Sequence, residues 1–107
     1  MISRQLRFTA IADVKLEKIE NTPALAGVCK QVHKVLGYLE VNPDVNSLNT
    51  HPYESLSKRY GLKVFESYIQ QHTPGAYRIF WHYGPDETNR KGKRIPIITI
   101  LDITSHP

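Results

Sequence analysis

The chain has 107 residues, which is enough for one domain with a two-layer core and too few for two domains. Hydrophobic residues make up 40% of it and charged residues 22%, a globular composition that excludes a disordered or fibrous protein. The net charge of +4 and the pI near 9.3 indicate a modestly basic surface, which favours a nucleic acid or an acidic protein as partner without deciding between them.

The cysteine count and the hydropathy pattern bear on where the protein works. A single cysteine, Cys29, excludes an intramolecular disulfide, and no Cys/His group has the spacing of a zinc site. The basic N-terminal residues are not followed by the apolar run of a signal peptide, and no stretch reaches the roughly 18 apolar residues of a membrane span. We therefore expect a cytoplasmic protein without membrane association or bound metal.

The first half of the chain predicts one strand and two helices. Residues 4–11 begin with short apolar alternation, which indicates a first strand, and helical spacing starts at Ala12. Thr22 is placed to cap a second helix with Pro23 at its first position. A broad apolar stripe, which includes Cys29, continues to a helix stop at Asn42-Pro43.

The segment 43–61 is polar and predicts a long loop with a helical turn around residues 53–56. Lys58 and Arg59 at its end, followed by Lys63, place three cations beside the next strand. These cations fit a phosphate-binding surface, and they fit a solvated charged edge equally well.

Three strands are predicted in the second half, in residues 62–69, 76–83 and 95–103. In the middle one, apolar residues at odd positions from Tyr77 to Tyr83 alternate with Arg78, Phe80 and His82, so that one face can enter a core. The connection 85–94 contains four cations, which suit either contact with a phosphate backbone or a solubilising loop: Arg90, Lys91, Lys93 and Arg94.

The predicted fold is therefore an α+β domain: a strand, a two-helix hairpin, and a three-stranded antiparallel sheet. The helices cover one face of the sheet. Too little chain remains to cover the other face, so we expect it to be open to solvent or to a partner.

This order of elements, over nearly the whole chain, resembles the RelE/ParE superfamily of bacterial toxins from toxin–antitoxin pairs. The similarity extends to short motifs: Phe8-Thr9-Ala10, Leu39, Asn42-Pro43, Ser47-Leu48 with His51, Tyr77-Arg78-Ile79, and His106. RelE-like members are metal-independent ribonucleases that generally cut messenger RNA on the ribosome, whereas ParE-like members poison DNA gyrase. The resemblance thus implies RNA or the ribosome as target, a small antitoxin as partner, and no cofactor.

The resemblance also assigns roles to residues. Arg78 matches the family's strand arginine, which contacts the scissile phosphate, and His106 matches the C-terminal histidine or tyrosine used for proton transfer. Glu66 and the cations Lys58, Arg59 and Lys63 fall where some ribonuclease members keep a general base or phosphate-binding lysines.

The chemistry of RNA cleavage asks for the same residue types. Attack by the 2′-hydroxyl needs a base, an acid for the leaving 5′-oxygen, and a cation for the charge gathering on phosphorus. Arg78 and His82 share a strand face, and His106 follows the neighbouring strand, with Glu66 or His82 as a further proton-transfer group. An arginine on a sheet face is also commonly the ion-pair partner of a carboxylate, here Glu66 or Asp102.

The leading hypothesis is thus a toxin-like endoribonuclease that inhibits translation. The alternatives are a ParE-like gyrase inhibitor or a catalytically inactive binding domain of the same fold. A third is an adaptor whose open sheet face binds a partner helix.

Overall fold

The computed structural model describes residues 3–71 and 75–105. Its strands are β1 (Gln5–Phe8), β2 (His51–Pro52), β3 (Phe65–Tyr68), β4 (Tyr77–Tyr83), β5 (Glu87–Thr88), β6 (Arg94–Ile95) and β7 (Ile97–Ser105). Its helices are α1 (Ala10–Glu20), α2 (Ala26–Val41) and α3 (Glu54–Tyr60), with 3₁₀ turns at Pro23–Leu25 and Asn46–Leu48.

The helix starts differ from the predicted ones because of local capping. Thr9 caps α1, since its Oγ1 accepts from the amide of Ala12 at 3.1 Å and donates to the Leu101 carbonyl at 2.8 Å, so α1 begins two residues before Ala12. Thr22 does not act as the predicted cap: its hydroxyl donates back to the Lys18 carbonyl, and a 3₁₀ turn precedes α2.

The α+β class is confirmed, but the three-stranded sheet is wrong. The described residues form a five-stranded mixed sheet in the order β1-β7-β4-β3-β2. The predicted neighbours β3, β4 and β7 do pair antiparallel, while β1 adds a parallel partner to β7 and β2 lengthens the other edge. Side chains on one strand therefore meet neighbours from both halves of the chain.

The first face of the sheet carries the main core. Ile79 and Trp81 of β4 are almost fully buried there, as the alternation predicts, and Ile100 and Ile103 of β7 join them. They pack against the apolar side of α1 and α2, which contributes Ala12, Ile19, Val32, Val35, Leu36 and Leu39. This burial of apolar surface fixes the register of β4 and so the direction in which its polar residues point.

The second face is not open throughout, contrary to the prediction. The segment predicted to be a loop with one turn contains α3, which ends at Gly61 in the left-handed conformation (φ 71°). Tyr53 and Leu56 from this region pack on Val64, Phe80 and Leu101. Beyond this small cluster, the second face carries the polar side chains of Glu66 and Arg78.

The basic connection forms a separate two-stranded hairpin, β5–β6. Its tip is shaped by Asn89, whose Oδ1 accepts from the amides of Lys91 and Lys93 at 2.9 and 3.0 Å. Arg7 of β1 fastens it to the main sheet through an ion pair with Glu87 at 2.6 Å. In the described part of the chain, no helix is long and apolar enough to cross a membrane.

Candidate active site

A buried carboxylate on β3 lies between the side chains of a histidine and an arginine. Glu66 is 2% exposed, and its Oε1 is 2.7 Å from His51 Nε2 while its Oε2 accepts from Arg78 Nη1 at 3.0 Å. His51 is directly opposite Glu66 in the β2–β3 pairing, and Arg78 reaches it from β4. Burying a carboxylate without such partners would cost a large amount of free energy, so these two contacts stabilise Glu66 in its buried position.

The ring of Tyr68 contacts the side chains of both Arg78 and His51. It is opposite Arg78 in the β3–β4 register, and the guanidinium carbon lies 4.3 Å from the centre of its ring. The His51 ring meets Tyr68 edge-on at 5.7 Å. We call these four residues, His51, Glu66, Tyr68 and Arg78, the Glu66 cluster.

His51 has a contact at each of its ring nitrogens. Its Nδ1 is 3.0 Å from the carbonyl oxygen of Asn49, which has a left-handed backbone (φ 47°), and its Nε2 faces the Glu66 carboxylate. A carbonyl oxygen can only accept, so the Nδ1–H of His51 donates to Asn49 and Nε2 is left to contact the Glu66 carboxylate. The His51 side chain is 45% exposed.

Arg78 has donors that none of the described residues uses. Its Nη1 donates to Glu66, whereas Nε is buried and has no hydrogen-bond partner, and Nη2 makes no hydrogen bond within residues 3–71 and 75–105. The Nε–Nη2 edge of a guanidinium matches two oxygens of a phosphate or carboxylate. Because Nε is buried, an oxyanion reaches this edge only when the side chains around it shift, and it would then satisfy the donor that has no partner among the described residues.

The structure thus brings together two of the four residues predicted to be catalytic, Glu66 and Arg78. His82 shares their face but is four positions from Arg78 along β4, a distance of about 13 Å. It is buried, and its Nδ1 is 3.0 Å from the carbonyl oxygen of Tyr83. The fourth residue, His106, lies outside the described residues.

The predicted RNA-binding cations near α3 are on its surface. Lys58 and Arg59 are exposed in the last turn of α3, and neither forms an ion pair with a described residue. Positive charge there also complements the carbonyl end of the helix. Lys63 instead lies 5.7 Å from the ring centre of Phe65, on the core side of β3 and away from Arg78.

The four hairpin cations form a second, separate basic region. Arg90, Lys91 and Lys93 are exposed and have no ion pair in the described structure, whereas Arg94 contacts Asp86 at 3.1 Å. The hairpin follows the Tyr83 end of β4, which is roughly 17 Å from Arg78 along the strand. It is therefore not part of the Glu66 cluster.

Sequence reasoning missed His51 as a site residue. It entered only as one motif of the resemblance, because β2 has two residues and lies in a polar segment without a period of two. The available signal was weak: His51 is the single imidazole in residues 43–61, beside Pro52.

No three His, Cys, Asp or Glu side chains in residues 3–71 and 75–105 are grouped so that they could hold a metal ion. Comparisons of the chain with protein-family models, with curated proteins and with solved structures found no match.

Proposed function

We propose that this protein is a metal-independent endoribonuclease, a toxin-like protein of the RelE type, with the Glu66 cluster as its active centre. The observation that supports this most is the meeting of a carboxylate, an imidazole and a guanidinium whose Nε–Nη2 edge has no hydrogen bond to the described residues. These are the groups needed to move two protons and to stabilise charge on phosphorus.

Each group has a role in the proposed reaction. Arg78 binds the non-bridging oxygens of the scissile phosphate through its Nε–Nη2 edge. Glu66 takes the proton of the 2′-hydroxyl as the O2′–P bond forms, and His51 gives its proton to O5′ as the P–O5′ bond breaks. The 2.7 Å contact between Glu66 and His51 then returns the proton to the imidazole, which restores the starting state.

Substrate entry requires one contact to open. Because the carboxylate is bonded on both sides, the 2′-hydroxyl reaches it only when one of the two partner side chains moves aside. His51 is the residue that moves, since its side chain is 45% exposed while that of Arg78 is 17% exposed. Rotation of His51 also frees a ring nitrogen from Asn49 for the leaving oxygen.

Exposed cations outside the cluster suit the rest of an RNA strand. Lys58 and Arg59 on α3 and three hairpin residues have no ion pairs among the described residues, and the chain carries a net charge of +4. Each phosphate that such a side chain neutralises adds about 0.7 to the salt dependence of single-strand binding.

One observation favours a second candidate, a non-enzymatic binding domain such as a ParE-like gyrase inhibitor. Both oxygens of Glu66 and both ring nitrogens of His51 already have partners within the protein. Such mutual satisfaction is also what a purely structural ion network requires.

A cleavage assay separates the two candidates. Wild-type protein is incubated with single-stranded RNA in EDTA, with and without translating ribosomes, and the fragments are tested for 2′,3′-cyclic phosphate ends. We expect cleavage that Arg78→Gln, in protein shown to be folded by circular dichroism, lowers by at least about 100-fold, since one preorganised donor contributes that much. Lys34→Gln removes an exposed cation of α2 that lies outside the cluster and the proposed RNA-binding residues, and it serves as the control.

Intact RNA under both conditions, from wild-type protein that is folded by circular dichroism, would refute the ribonuclease. Loss of supercoiling activity in a gyrase assay would then support the binding domain. Induced expression in bacteria adds a cellular readout, because growth arrest with RNA loss should disappear in Arg78→Gln.

A further inference from the structure

A groove of about 370 Å³ runs between α1 and the ends of β4 and β7. Its walls are mainly apolar and include Leu25, Tyr77 and Ile103. Lys15 and Lys18 of α1 border it; Lys15 pairs with Asp102 at 3.0 Å, whereas Lys18 has no ion pair with a described residue. Concave, mostly apolar sites of this size with a few charged groups are typical of small-ligand sites.

The groove adjoins the Glu66 cluster at the same end of the sheet. Tyr77 immediately precedes Arg78, and Thr104, which also lines the groove, is opposite Arg78 in the β4–β7 register. Because consecutive side chains of a strand point to opposite faces, the groove and the free edge of Arg78 lie on two sides of one strand end. A flexible strand that bends around this end can occupy both.

We propose that this groove binds a nucleobase of the RNA strand next to the phosphate held by Arg78. The inference rests on the proposed function, which supplies the strand. The base packs against the ring of Tyr77 and the apolar walls, as unstacked bases do on aromatic side chains. Lys18 binds the neighbouring phosphate, so the charge of the rim complements the ligand.

The test measures binding without cleavage. The probe is a fluorescent ten-nucleotide 2′-O-methyl RNA, which has no 2′-hydroxyl to react, and the comparison is an abasic strand with the same number of phosphates. By anisotropy, wild-type protein should bind the base-bearing strand about 10-fold more tightly, as expected for one stacked base.

Two matched substitutions on α1 locate the effect. Val14 is 65% exposed and lines the groove, so Val14→Glu should fold normally and bring base-bearing RNA close to the affinity of the abasic strand. Ile11→Glu makes the same charge change at a residue of the same helix that is 59% exposed and is not among the groove's described lining residues. It should preserve the roughly 10-fold preference for bases.

Lys18→Gln tests the phosphate contact. It should reduce the slope of log affinity against log salt concentration by about 0.7 relative to the wild type. Lys34→Gln removes an exposed cation on α2, away from the groove, and should leave this slope at the wild-type value. An equal slope in both variants would remove Lys18 from the site.

Equal affinity of wild-type protein for base-bearing and abasic strands, or no binding of either, would overturn the groove proposal. This holds whether or not unmodified RNA is cleaved. Conversely, the protein could prefer base-bearing RNA, lose that preference in Val14→Glu, and leave unmodified RNA uncut. This result would support base binding in the groove and refute the proposed ribonuclease activity. Cleavage of unmodified RNA together with equal binding of base-bearing and abasic strands would support the ribonuclease activity and refute base binding in the groove. A protein partner would then be the remaining occupant of the groove.

Discussion

The guanidinium of Arg78 donates from Nη1 to the carboxylate of Glu66 at 3.0 Å, and the Glu66 side chain is only 3% exposed. A charge that is buried to this degree depends strongly on its partner, because an unpaired charge in the interior is destabilising. The Glu66–Arg78 pair should therefore contribute to the stability of the fold as well as to the proposed site. The free energy of coupling between the two residues can be measured.

Glu66→Gln and Arg78→Gln should each destabilise the protein, by up to about 3–5 kcal/mol, because the first leaves Arg78 without its carboxylate and the second leaves Glu66 with His51 as its remaining partner in the cluster. The double variant should lose less than the sum of the two, with a coupling free energy of about 1–3 kcal/mol. Urea denaturation of the four proteins gives these values. Strict additivity would show that the two groups do not interact in solution.

His51 and His33 offer a matched pair of histidines. Each contacts a glutamate through Nε2, at 2.7 Å for His51 with Glu66 and 2.9 Å for His33 with Glu20, and both side chains are about half exposed. His51→Gln should lower RNA cleavage by about 10²–10⁴-fold, the usual contribution of a general acid. His33→Gln should cleave like the wild type, and similar losses in both variants would remove His51 from the mechanism.

Ser67 should be a measurable contributor to stability. Its fully buried hydroxyl accepts from Trp81 Nε1 at 2.8 Å and lies 2.7 Å from Thr50 Oγ1. Ser67→Ala leaves the indole N–H without its acceptor, which should cost about 1–3 kcal/mol in urea denaturation. Ser55→Ala, at an exposed position of α3, is the control and should change stability by less than about 0.5 kcal/mol.

Tyr83 should make stability fall at alkaline pH. Partial burial and the nearby Asp44 carboxylate raise its pKa above the ordinary value of 10.0, while Arg4 opposes the shift. The folded protein therefore holds the phenolic proton more firmly than the unfolded chain. The resulting contribution is complete below about pH 10 and is lost as the pH rises through the folded pKa.

Tyr83→Phe removes this titration, so its unfolding free energy should decline less steeply than that of the wild type above about pH 10. Urea denaturation at several alkaline pH values gives the two curves. Parallel curves would mean that the phenol titrates alike in the folded and unfolded states.

The parts of the fold that were predicted are those with a long local pattern. The alternation from Tyr77 to Tyr83 placed Ile79 and Trp81 in the core and Arg78 on the other face, and the structure confirms this. The sequence allowed two interpretations of Arg78, a phosphate-binding residue or the ion-pair partner of a carboxylate such as Glu66. Local periodicity identifies a face, but it does not say which side chain from another strand meets it.

What could not be predicted depends on short or distant segments. The parallel pairing of Gln5 with Ile97 joins opposite ends of the described chain, and no periodicity within either strand encodes it. The seven residues of α3 and the two of β2 are too few for a periodic signal. The place of His51 in the site follows from β2 and was missed with it.

The position of β7 also bears on how the molecule acquires its structure. This strand is the last of the described chain, yet it lies between β1 and β4, so β1 has no neighbour in the sheet until β7 arrives. Pairings across so much sequence slow folding, because the intervening chain must first be closed into a loop. A chain emerging from the ribosome therefore cannot form the β1–β7 and β4–β7 pairings before β7 has left the exit tunnel, whereas the β2–β3–β4 pairings that carry the Glu66 cluster need only earlier parts of the chain.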